Sequence, residues 1–256
     1  MFLRWLRILL VVSVALAACA CAIAADNPYA DVLKKNGIEP TGPGALAYLD
    51  RIRPTPEARE KIAALVEQLN AFLHADRHRA EKRLFELGLL ARPQIEKAAR
   101  SDIAETAFRA ERLLRKLERT NQELVLRGAL ETVRIEKPKD AARRVLAVAP
   151  LCSLRYLRRA AQRALKAVAG PGDADRLRRA LEHENTDVRV IAIPALAALL
   201  GPERADELEP LLEDGEPAVR LAAARALADL GVRKTLGAFV TLMSHDDVRV
   251  RSRAHA

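Results

Sequence analysis

The sequence predicts an all-α protein, an α-α superhelix in which helical hairpins stack as a solenoid. Three observations carry that expectation. Half of the 256 residues are hydrophobic but only 4% are aromatic, so the core must be assembled from Leu, Ala and Val, which suits closely packed helices. From residue 146 onward the chain lies over itself at a period of 31 without a gap. Within each period the apolar positions recur at helical spacing, first over about ten residues and then, after a polar break, over about fourteen. Eleven Gly and thirteen Pro are too few for a sheet-and-turn protein, and three Cys too few for a disulfide scaffold. With 43 Lys and Arg against 34 Asp and Glu beside that apolar content, a disordered chain is also excluded.

Residues 1–25 read as a secretory signal. Arg4 and Arg7 form the charged start, Ile8 to Ala17 is apolar except for Ser13, and small residues follow. Such a run is too short for a permanent membrane helix, which needs about 20 apolar residues. Two processing readings stand. Ala22-Ile23-Ala24 fits cleavage before Ala25, whereas Leu16-Ala17-Ala18-Cys19 looks like a bacterial lipobox that makes Cys19 the candidate lipidation residue. Both place the mature protein outside the cytoplasm, in the periplasm or cell envelope, with Cys19 as the sole route to the membrane. Cleavage at Ala25 removes two Arg and no acid, taking the formal charge from +9 to +7.

Residues 26–54 form a lead-in punctuated by Asn27-Pro28, Gly37, Pro40, Gly42-Pro43-Gly44 and Pro54, with short helices expected near 29–35 and 45–52 that dock on the first hairpin. Thr55-Pro56-Glu57 reads as an N-cap, a first helical residue and an acidic first turn. Residues 55–118 then hold two divergent hairpins, traced by Leu65, Leu69, Ala80, Leu84 and Leu87, and again by Ile95, Ala99, Ala110, Leu114 and Leu117. The spacing from Ala110 to Ala161 exceeds one period, so residues 119–140 hold an inserted helix broken at Pro138, which interrupts the solenoid.

Residues 141–256 carry the sharp repeats. Their columns are Leu146, Leu177, Leu208 and Phe239; Leu157, Val188, Val219 and Val250; Ala161, Ala192, Ala223 and Ala254; and Leu165, Leu196 and Leu227. Val219, Ala223, Ala226, Leu227 and Leu230 occupy one helix face, and small Ala side chains let neighbouring helices approach. The next core Leu would fall beyond Ala256, so the last repeat is expected to be incomplete, the chain being cut short relative to its natural unit or its end covered by a partner.

An acidic loop followed by Val-Arg and a small-residue helix, as in Asp187-Val188-Arg189 and in Val219-Arg220-Leu221-Ala222-Ala223-Ala224, resembles HEAT repeats of the short bacterial PBS-lyase type. The resemblance spans about 200 residues, from Glu57 to Ala256. It implies an α-α superhelix whose Arg column, Arg158, Arg189, Arg220 and Arg251, pairs with loop acids of adjacent repeats. It says little about function, since such solenoids serve scaffolds, lyases, glycosylases and adaptors alike.

Enzyme signatures are lacking: no Gly-rich phosphate loop, Gly-x-Ser-x-Gly elbow, His-Glu-x-x-His or Cys-x-x-Cys occurs, so no catalytic residue, metal ligand or cofactor is assigned. His74 and His78 stand four apart, but the repeat alignment puts His74 in a turn, and the pair reads as solvated. Cys152, His183, Asp214 and His245 share one turn position; stacked helices about 8 to 10 Å apart cannot converge four such ligands on one ion, so they read as polar turn residues. Charge is segregated. Residues 143–166 contain Arg143, Arg144, Arg155, Arg158, Arg159, Arg163 and Lys166 and no acid, whereas residues 201–217 carry seven acids against Arg204. The functional expectation is a non-enzymatic scaffold or adaptor of the cell envelope that presents Arg155, Arg159 and Arg163 to a protein partner. The alternative is an enzyme or accessory resembling bilin lyases, holding a small ligand in a concave groove. A DNA-processing role would require that the leader be misread; export and the shortage of stacking aromatics argue against nucleic acid.

Overall fold

The structure, a computed structural model, describes residues 27–232. The expected leader with Cys19, the column members Phe239, His245, Val250, Arg251 and Ala254, and the last repeat with its expected incompleteness lie outside the described residues. Twelve α-helices and short 3-10 segments make up the described chain, and no β-strand occurs among the described residues. The lead-in holds α1 (Ala30–Lys35) and α2 (Gly42–Arg51). Two hairpins follow, α3 (Pro56–Glu67) with α4 (His74–Leu87) and α5 (Arg92–Ala98) with α6 (Ala104–Glu118). Then come α7 (Gln122–Glu136), the pair α8 (Ala141–Val148) and α9 (Arg155–Val168), the pair α10 (Ala174–Leu181) and α11 (Thr186–Leu200), and a 3-10 segment Pro202–Glu213 with α12 (Pro217–Asp229).

Local chemistry explains the starts and stops. Thr55 Oγ1 accepts from the Ala58 N–H at 3.2 Å and Pro56 opens α3, so the first long helix begins where its cap directs. Asn185 caps α11 through the Asp187 and Val188 N–H groups. Gly88, at φ +58°, ends α4 in a left-handed turn that side chains disfavour.

The repeat columns are the core. Leu146, Leu177 and Leu208, Leu157, Val188 and Val219, Ala161, Ala192 and Ala223, and Leu165, Leu196 and Leu227 are all buried. Their shared burial makes the region an all-α helical-repeat solenoid, with α9, α11 and α12 stacked as one layer and α8, α10 and the 202–213 segment as the other.

The lead-in does not dock on the first hairpin. Both α1 and α2 pack on α7, and α2 also meets α8. The inserted helix α7 packs in turn on α9, so α2 and α7 together supply the first two-helix unit of the C-terminal stack, although some 70 residues separate them. The buried Asn27 Nδ2 donates to Thr132 Oγ1 at 2.7 Å, fixing the start of the lead-in against α7. Gly128 makes the approach feasible, because a Cβ there would lie 2.7 Å from the Tyr29 Cβ and 3.3 Å from the Leu33 Cγ. The excursion 55–118 builds a separate core around Ile62, Leu69, Ala80, Leu84, Ile95, Ala110, Leu113 and Leu117.

Within that excursion α4 and α6 are joined by an ion ladder. The buried Glu81 carboxylate accepts from both Arg109 and Arg112, Arg109 also bonds Glu105 at 2.6 Å, and Arg77 approaches Glu105 at 3.6 Å. Burial alone would raise the Glu81 pKa, but the Arg112 and Arg109 bonds and charges outweigh it and take it below the ordinary value.

Two outcomes are expected. Ala at Gly128 gains about 1 kcal/mol of helix propensity but meets the inflexible Tyr29 Cβ, an overpacking of about 1–3 kcal/mol, so Gly128→Ala should lower stability by about 1 kcal/mol and speed amide exchange in α1. Removing the Glu81 carboxylate leaves Arg112 without an acid and Arg109 with Glu105 alone, so Glu81→Gln should destabilise the 55–118 core by about 2 kcal/mol at neutral pH. Because the folded pKa is depressed, this contribution is present above the ordinary glutamate value of about 4.3 and lost as pH falls through the folded value. The penalty, measured by denaturant titration from pH 7 downward, should therefore shrink below about pH 4.

Candidate functional site

Two classes of arginine must be separated before a site can be drawn. Arg158, Arg189 and Arg220 are each the fourth residue of their helices, α9, α11 and α12. Each reaches back to carbonyls of the turn just traversed: Arg158 to Ser153 at 3.0 Å, Arg189 to His183 at 2.8 Å and Glu184 at 3.2 Å, Arg220 to Asp214 at 2.6 Å and Gly215 at 3.0 Å. Two of them also reach forward, Arg158 to the Asp187 carboxylate at 2.7 Å and Arg189 to Asp214 at 3.1 Å. Arg77, fourth in α4, repeats the device on the Ala71 and Phe72 carbonyls at 2.7 and 2.8 Å, with Glu105 ahead of it. Sequence reasoning missed Arg77; the signal was its place as fourth residue of the second helix of its hairpin, obscured because the divergent hairpins do not keep the period.

Arg155 and Arg159 belong to the second class. They are exposed on α9, and neither has a carboxylate partner among the described residues. Both line a groove of about 220 Å³ that runs across α9, α11 and α12. Its floor is apolar, with Val190 and Pro194 from α11 and Leu221, Ala222 and Ala226 from α12. Arg225 and Asp229 of α12 form the far wall. Arg163, the third residue singled out by charge, is exposed one turn further along α9 and does not line the groove. Burial, then the nearby Arg159 and Arg155 guanidiniums, push the Arg225 pKa below its ordinary value, against the opposing pull of Asp229. Sequence reasoning also missed Arg225, although it stands two repeat lengths after Arg163.

Pro194 shapes the floor. A proline inside a helix has no N–H for the carbonyl four residues earlier, which leaves the Val190 oxygen without its helical donor. Gln162 Nε2, from α9, donates to that oxygen at 3.0 Å. The defect in α11 is thus repaired by the neighbouring helix, beside Arg159.

The remaining sequence candidates fall elsewhere. Cys152 is no polar turn residue: it is fully buried in the core, and burial, with Asp187 adding to it and Arg158 opposing, pushes its thiol far above the ordinary range. His183 accepts the Asn185 N–H through Nδ1, and Asp214 is engaged by Arg189. His74 does not sit in a turn but opens α4, its ring stacked 6.3 Å from that of His78. No group of three or more His, Cys, Asp or Glu able to hold a metal occurs among the described residues. A second surface feature lies on the 55–118 body, where Phe72, Phe85 and Phe108 are all exposed, Phe72 at 96%. No helix among the described residues is long and apolar enough to cross a membrane.

A family model for HEAT repeats matches residues 205–256, overlapping the α12 wall of the groove. This match supports a HEAT-repeat protein. A search of curated proteins finds no match to the chain.

The Pro194 repair defines a double-mutant cycle. Pro194→Ala restores the N–H and should raise stability by up to about 3 kcal/mol, whereas Gln162→Leu in the native chain should cost about 1 kcal/mol by stranding the Val190 oxygen. In the Pro194→Ala background that cost should vanish, which thermal or denaturant unfolding of the four proteins would measure.

Proposed function

We propose that the chain is a non-enzymatic adaptor of the cell envelope that captures a protein partner on the exposed face of α9, α11 and α12. One observation carries the reading. The arginines that hold the repeats together are engaged with carbonyls and carboxylates, whereas Arg155 and Arg159 stand in solvent above an apolar groove without a carboxylate partner among the described residues. Cations kept side by side without a counter-ion repel one another, and an arriving anionic surface relieves that repulsion. HEAT repeats generally mediate protein–protein contacts, in keeping with such a role. The leader pattern of residues 1–25 supports export, with Cys19 as the candidate lipid anchor; the mass of the mature N-terminus tests both processing readings.

The expected result is specific. Triple charge reversal, Arg155→Glu, Arg159→Glu and Arg163→Glu, should weaken capture of partners from an envelope fraction at least tenfold, about 1.4 kcal/mol, with the loss largest at low salt. Thermal stability should move by no more than about 0.5 kcal/mol, as expected of exposed positions. Unchanged capture would reject this face as the contact surface.

A further inference from the structure

We infer that the groove across α9, α11 and α12 takes an acidic-amphipathic segment of the partner, with carboxylates on Arg155, Arg159 and Arg225 and branched apolar side chains on the Val190, Pro194 and Leu221 floor. The inference rests on the adaptor reading and gives its ligand a chemistry.

Charge comes first: Arg155 and Arg159 have no carboxylate partner among the described residues, Asp229 is the one acid among the described residues that line the groove, and Arg158 in their midst is already engaged by Asp187. On the far wall Arg225 is held below its ordinary pKa first by burial and then by the Arg159 and Arg155 guanidiniums, so it shares their field. A carboxylate placed among them meets several guanidiniums at once, in a partly desolvated setting where each interaction exceeds its value in bulk water.

The second step is the floor. Val190, Pro194, Leu221, Ala222 and Ala226 offer no hydrogen bond, so a purely anionic ligand would cover the rim and leave the apolar surface wet. Among the described residues no aromatic side chain lines the groove, so they offer no stacking platform of the kind that single-stranded nucleic acid uses. A ligand satisfying both rim and floor must alternate charge with hydrocarbon.

The third step is size. The volume of about 220 Å³ falls below the roughly 300–1,000 Å³ of drug-sized ligand sites, and matches about seven waters' share of the liquid. It suits a few side chains of a longer segment lying along the groove rather than an enclosed small molecule. Asp229, one turn along α12 from Arg225, sets a negative charge in the far wall, which would repel a carboxylate there and so orient the segment.

Fluorescence anisotropy of the full chain with labelled peptides of about twelve residues, roughly 40 Å when extended, tests this. The probes are repeating Glu-Leu, Glu-Ser and Lys-Leu peptides, together with an oligothymidylate of equal length. Glu-Leu should bind at least tenfold tighter than each of the others. Arg155→Glu with Arg159→Glu should weaken it at least tenfold, and Arg225→Gln alone severalfold, with circular dichroism unchanged. Equal binding of Glu-Ser would reduce the groove to a plain anion site; equal binding of Lys-Leu or oligothymidylate, no binding at all, or insensitivity to the Arg variants would each overturn the inference. The adaptor reading fails separately, through unchanged envelope capture by the triple charge-reversal protein, so either result can stand without the other.

Discussion

The reach-back arginine is the constraint on which the described solenoid turns. A helix that ends in a tight turn leaves carbonyls without donors, and water satisfies them only if the turn stays open. A guanidinium has five N–H donors in a fixed fork, enough to bond turn carbonyls and still meet an acid on the next hairpin. Arg158 and Arg189 use both capacities, clasping their own turn and the following Asp187 or Asp214. Such a bond sets the distance between successive hairpins in a way that Ala and Leu packing alone, which tolerates sliding, does not. It also commits the donors of those arginines to the scaffold: Arg158 lines the groove but is already bonded to Ser153 and Asp187, so the cations with donors open to a ligand are those outside the fourth position.

The groove arises from three helices in register with different residues at equivalent places. The fifth residues of α9, α11 and α12 are Arg159, Val190 and Leu221, and the ninth are Arg163, Pro194 and Arg225. A repeat with the same residue at each place would present a uniform stripe. Here the stripe is broken into a cationic wall, an apolar floor and a second cationic wall, with Pro194 in the middle and its orphaned carbonyl taken up by Gln162. The same bond that repairs α11 therefore also ties the floor to the wall.

Much of this was legible in the sequence where a physical cause acts periodically. The buried columns from Leu146 onward could be read because a stacked hairpin places equivalent residues in equivalent surroundings, and Thr55 because a cap is a local device. The docking of α1 and α2 on α7 could not: it depends on Asn27 meeting Thr132 and on Tyr29 passing over Gly128, contacts about a hundred residues apart that leave no periodic trace. Helix α7 therefore reads as an interruption although it opens the C-terminal stack. Arg155 and Arg159 emerged from the acid-free run, whereas Arg225 lies among alanines beside Asp229 and carries no charge pattern. Only the shared groove reveals it.

The two cores meet at Leu89, buried in the C-terminal core, and Leu90, packed against both, with a cluster of polar groups around them. Leu89 N–H donates to Gln122 Oε1 at 2.9 Å, and the buried Arg92 bonds Glu96 at 2.8 Å and also engages Glu123, which accepts the Tyr156 hydroxyl as well. Ser153 adds a bond to Glu96 at 3.3 Å. Apolar contact alone would let the bodies slide; the directed bonds beside it hold one geometry and are lost together if the joint opens. Tyr156 and Arg155 are neighbours in the first turn of α9, one engaged at the joint and the other lining the groove. The first turn of α9 therefore serves both ends of the design: Tyr156 bonds Glu123 in the polar cluster at the joint, while Arg155 beside it presents the first guanidinium to a ligand.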